Sequence, residues 1–184
     1  MLPSAPLNHL QRIQRISRMM ARVCVALIVL MPLGLVVYWA TTSAPELATQ
    51  GNLQAEAMRA PLQIWQRVAA AAVSALPLAC LLLGVWHAKL CFAQFANGEI
   101  FTASAVGHLR RFAGWTAAAA LAAIMAGAAI SILFTINNPP GTRQLALGVS
   151  SNQVFTMFFA ALVWLRADVI GQGQAFADEN TQFV

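Results

Sequence analysis

The chain has 184 residues, of which 59% are apolar and only 9% charged, where soluble domains carry about 25% charged residues. A soluble core of that size needs a charged surface, and this composition supplies none, so a soluble globular domain is excluded. The net charge of +5 rests on ten Arg and one Lys. These flank apolar runs instead of lining one polar face, which excludes direct nucleic-acid binding and makes the lipid bilayer the first partner.

Four stretches carry no fixed charge: between Arg22 and Glu46, Arg67 and Lys89, Arg111 and Arg143, and Arg143 and Arg166. About 20 mainly apolar residues cross a hydrocarbon core of roughly 30 Å. The expected fold is therefore all-α, an integral membrane bundle of four transmembrane helices with an N-terminal amphipathic helix and a short helical C-terminal tail. A single membrane domain, residues 1–184, is expected.

In the first segment, Leu7, Leu10, Ile13, Ile16 and Met20 recur at helical spacings, while Arg12, Arg15, Arg18 and Arg22 occupy a separate sector. That is the pattern of a basic helix on a membrane surface, each Arg near anionic lipid being worth about 1 kcal/mol. It serves as a topological anchor continuous with the first span, or as a docking surface. The first span is expected at residues 21–41. The Arg-rich leader and the run 23–39 resemble a secretory signal, but a signal's apolar region is only about 7–15 residues. The run here ends in bulky Tyr38 and Trp39, an interfacial anchor, so a true helix is expected, with Pro32 tolerated inside it.

A polar loop is expected at 42–66 and a second span at 67–90, with Pro77 near its middle. Within the connection that follows, Asn97-Gly98-Glu99 signals a turn and Thr102 an N-cap. The third span, 109–136, carries two rows of small residues four apart: Gly114, Ala118, Ala122, Ala126 and Ala119, Ala123, Gly127, Ser131. Such rows let helix backbones approach closely in lipid, which makes this span the expected central one. Asn137-Asn138-Pro139-Pro140-Gly141 ends it. The fourth span is expected at 145–166, with Ser150, Ser151, Asn152 and Gln153 interrupting its first half, and a cytoplasmic tail at 167–184. Eight basic residues flank the terminus-side segments against three (Arg59, Arg67, Arg143) on the other loops. The positive-inside rule then places both termini in the cytoplasm.

Little of the chain suggests chemistry. His87 and Cys91 stand four apart near Glu99 and His108, a spacing metal ligands use, but no HExxH or CxxC accompanies them. His87 and His108 flank the turn between the second and third spans, interfacially, where haem would ask for deeper ligands. No phosphate loop, nucleophile elbow or carboxylate pair occurs in any span. No catalytic, cofactor-binding or metal-ligating residue is assigned, and a non-enzymatic protein is expected. Cys24, Cys80 and Cys91 read as small buried hydrophobes.

The run Phe95-Ala96-Asn97-Gly98-Glu99-Ile100-Phe101-Thr102, followed by His108-Leu109-Arg110-Arg111-Phe112, resembles the connection between helices 2 and 3 in a bacterial membrane family, domain of unknown function 2975. The ending Gln172–Val184 is similar to that family's own. The resemblance implies a four-helix membrane protein of no established activity, with a small helix-turn-helix regulator as its cytoplasmic partner. On the residues themselves, Phe95, Gly98 and Phe101 mark the turn, with the two Phe as interfacial wedges. Phe176 and Phe183 stand seven apart on the tail, with Asp178 and Glu179 placed to meet the N-terminal arginines. These seven form the expected partner-binding set. The alternatives are a small transport or redox (haem or quinone) subunit, or an immunity protein against a membrane-active toxin, and an oligomer is compatible with each.

Overall fold

The computed structural model describes residues 5–54, 61–99 and 102–181, with side chains described from residue 11 to residue 173. Among these residues all regular structure is helical: α1 (Ala5–Thr41), α2 (Ala44–Ala48), a 3-10 turn at Thr49–Gly51, α3 (Ile64–Ala96), α4 (Ala103–Thr135) and α5 (Ser151–Thr181). Helices α1, α3, α4 and α5 are each long and apolar enough to cross a membrane, as the four-span reading requires.

The element bounds differ from the sequence expectation in instructive ways. The N-terminal amphipathic segment is continuous with the first span, as one of its two readings has it, and α1 runs unbroken through it and through Pro32. Pro6 falls in its first turn, where amides have no helical partner to lose. Expected as loop, residues 42–66 contain α2, at whose start the Ser43 amide donates to Glu46 Oε2 at 3.4 Å. That is half of a capping box.

The third expected span, 109–136, opens six residues early, because Thr102 Oγ1 accepts from the Ala105 amide at 3.2 Å and caps α4 at its N3 position. The fourth, 145–166, is displaced the other way. Ser150 is the N-cap of α5: its amide and hydroxyl both donate to Gln153 Oε1, at 2.5 and 2.6 Å. The polar cluster thus opens the helix instead of interrupting it, and the tail continues the same helix to Thr181.

The chain divides into two compact units. The first gathers the residues up to Val29, Leu82–Thr116 and those from Phe158 onward; the second gathers Leu30–Leu81 and Ala117–Met157. Apolar packing in the second unit centres on Trp39, Leu47, Ala48, Leu53, Ala70, Ile130 and Phe134. Trp39 meets Phe134 edge-on at 6.4 Å. Gln66, buried on α3, donates to the Leu133 carbonyl at 2.6 Å, and Arg67 to the Thr42 carbonyl.

Residues 143–150 are not helical, and two hydroxyls of α4 hold part of this segment. Ser131 Oγ accepts from the Ala146 amide at 3.0 Å, and Thr135 Oγ1 from the Gln144 amide at 3.2 Å. The segment is tied along α4 by backbone amides whose acceptors are side chains of that helix.

Helix α4 is the most enclosed of the four. In its most apolar window 44% of residues are buried, against 11–17% in the others. Its second small-residue row, with Ala119, Gly127 and Ser131 buried, admits a close approach at Gly127 and Ser131, by the 3-10 turn and Asn52. A Cβ on Gly127 would lie 3.0 Å from Asn52 Nδ2, and one on Gly51 would lie 3.0 Å from the Ser131 amide nitrogen.

Candidate functional site

The first unit holds the helix ends on which the sequence had concentrated its motifs, so the site is built there. Helix α3 ends in a Schellman motif: the Glu99 amide donates to the Gln94 carbonyl at 3.0 Å and the Gly98 amide to the Phe95 carbonyl at 3.1 Å. Such a motif places one residue in the left-handed region, and Gly98 has φ +88°. Glycine adopts that conformation without strain, and a Cβ there would stand 3.3 Å from Gln14 Nε2 of α1. The turn and the N-terminal helix are therefore in contact. Across the turn, Gln94 Nε2 donates to Ser104 Oγ at 2.7 Å.

Phe95 is half-buried and packs edge-on against Phe92 at 6.5 Å, so it is held by its own helix more than an interfacial wedge would be. Helix α1 turns Ser17 and Cys24 inward. Its Arg12, Arg15, Arg18 and Arg22 are all exposed, and so are Ile13, Ile16 and Met19. The apolar stripe read from the sequence is thus not the buried face of α1.

Between α3 and α4, His87 Nδ1 lies 3.2 Å from His108 Nδ1, the rings stacked 5.4 Å apart at 30°. One ring donates and the other accepts, so at least one imidazole is neutral in this pair. Cys91, one turn beyond His87, is buried. Among the described residues no three His, Cys, Asp or Glu side chains gather as a metal ion requires.

Helices α4 and α5 are joined by an ion pair that sequence reading missed. Arg110 Nε lies 2.6 Å from Asp168 Oδ1, with both side chains partly exposed. The available signal was that Asp168 is the first acid after Glu99. Glycines let the two helices come close: a Cβ on Gly114 would meet the Trp164 ring at 3.3 Å, and one on Gly171 would lie 3.6 Å from Arg110.

Of the seven expected partner-binding residues, Gly98 and Phe95 take part in the turn as described. Phe101 and Phe183 lie outside the described residues. Phe176, Asp178 and Glu179 fall on α5, with their side chains outside the described ones. The first unit thus presents exposed cations and apolar side chains on α1 beside the turn at Gly98. No family model matches the chain, and neither a curated protein nor a solved structure matches it.

Proposed function

We propose that this chain is a non-enzymatic, multi-pass protein of the bacterial inner membrane that holds a cytoplasmic protein partner at its terminus-bearing end. The observation that carries this reading is on α1, where Ile13, Ile16 and Met19 are exposed beside exposed Arg12, Arg15, Arg18 and Arg22. A stretch that only needed water would not carry that apolar set, and the arginines suit an acidic partner as they suit anionic lipid. Lengths support the same reading. A 37-residue α1 is about 55 Å long, well beyond the roughly 30 Å of hydrocarbon. The eight-to-three distribution of basic residues assigns the excess length to the cytoplasm.

The partner fitting this surface is a small protein with an acidic, partly apolar face. A helix-turn-helix regulator is the candidate that the resemblance of the Phe95–Thr102 run implies. Photo-crosslinking from positions 13 and 16 in living cells tests this. A single discrete adduct is expected, lost when Arg12, Arg15 and Arg18 are replaced by Glu while membrane insertion is retained. Adducts with phospholipid alone would leave the arginines as anchors and refute the proposal.

A further inference from the structure

In the second unit, Tyr38 and Trp39 close the apolar run of α1 beside a partly open cavity of about 280 Å³. Its walls are Tyr38, Trp39, Pro77, Ile130 and the small-residue face of α4, with Gln50 and Ser74 as polar contributors. Among the described residues none of its lining comes from α5.

Three features define what it can take. No charged side chain lines it, so an ionic ligand would lose its hydration without compensation. The Tyr38 hydroxyl accepts from Gln50 Nε2 at 3.1 Å, which leaves its own proton with no acceptor among the described residues. Ser74 spends its proton on the Ala70 carbonyl, at 2.9 Å, and Pro77 has none to give. Tyr38 is thus the hydroxyl donor available to a guest. A dry cavity of about 150 Å³ holds one benzene, so nearly twice that volume suits a substituted or fused ring.

We propose that this cavity binds a neutral, lipid-soluble ring compound with a carbonyl oxygen, the chemistry of a quinone ring, and that Tyr38 donates to that oxygen. The ligand enters an already formed pocket. Trp39 is fixed edge-on by both Tyr38, at 6.1 Å, and Phe134, at 6.4 Å, so little side-chain freedom is lost on binding. Gln50 holds the phenol oxygen and so directs its proton away from the amide. This inference is independent of the partner-binding reading, which concerns the first unit.

Equilibrium dialysis of the full-length protein in detergent with menadione tests it. Saturable uptake of one menadione per chain is expected. Affinity should fall about three- to tenfold in Tyr38→Phe, the loss of one hydrogen bond, and further in Ala123→Phe, which fills the space. Naphthalene, which lacks the oxygen, should bind the parent protein and Tyr38→Phe equally. Tyr38→Phe keeps the ring and its packing, so it remains informative even if Ala123→Phe fails to fold. Equal menadione affinity in the parent and Tyr38→Phe would overturn the proposal. So would absence of saturable binding, or a retained phospholipid that menadione cannot displace.

Discussion

His87 on α3 and His108 on α4 bond directly to each other through their Nδ1 atoms, 3.2 Å apart. The pair links the two helices a few turns before their shared connection. The two histidines flank the turn, as the sequence indicates, and they face each other across it. Each ring commits its Nδ1 to the other, so the pair is a packing device in which removal of one ring strands its neighbour.

The first expectation follows from that bond. His87→Ala and His108→Ala should each lower stability modestly, and a double-mutant cycle should give a coupling of about 0.5–1.5 kcal/mol. Thermal unfolding in detergent measures it. Additive effects with no coupling would mean that the pair is incidental. The same purified protein should show no Soret band; haem at one per chain, lost in either variant, would overturn the non-enzymatic reading.

A second expectation concerns Arg110 and Asp168. Their side chains are 46% and 37% exposed, and ion pairs of that exposure contribute only about 0–1 kcal/mol. Asp168→Asn should therefore leave the unfolding midpoint nearly unchanged. A large loss, restored by exchanging the two charges, would show that the pair is shielded from water by the bound partner or by lipid.

Glycine supplies a third. Gly98→Ala places a side chain at φ +88° and 3.3 Å from Gln14, and a left-handed Ala alone costs about 1–2 kcal/mol. Gly98→Asn should cost less, since Asn also occurs at this helix-end position. Gly51→Ala meets the α4 backbone at 3.0 Å and should cost about 1–3 kcal/mol as an overpacked site. Folded yield and unfolding midpoint compare the three. Equal tolerance of Ala and Asn at position 98 would remove the Schellman turn.

The long helices and the turn were legible in the sequence because they rest on local rules. Charge-free runs mark the spans, Gly98 marks the left-handed residue, and Thr102 marks the cap. The Ser150-x-x-Gln153 and Ser43-x-x-Glu46 patterns were equally local, yet they were read as polar interruption and loop. What could not be read depends on distant partners. Nothing near Leu47 says that it is fully buried, since Trp39 and Phe134 belong to other segments of that core. The same holds for Ser131 and Thr135, whose hydroxyls accept from the Ala146 and Gln144 amides. On α1 the stripe of Ile13 and Ile16 is exposed, as a membrane-surface stripe would be, and what periodicity did not mark is that Ser17 and Cys24 turn inward.

Sidedness is the premise on which partner binding depends, and reporter fusions test it most directly. Alkaline phosphatase joined at Asn52 or Asn138 should be active, and joined at Gly98 or after Val184 inactive, as the basic residues on the terminus-side segments require. An active fusion after Val184, with the fusion at Asn138 active as well, would contradict it, leaving α5 outside the four-span scheme and the C-terminal tail without access to a cytoplasmic partner.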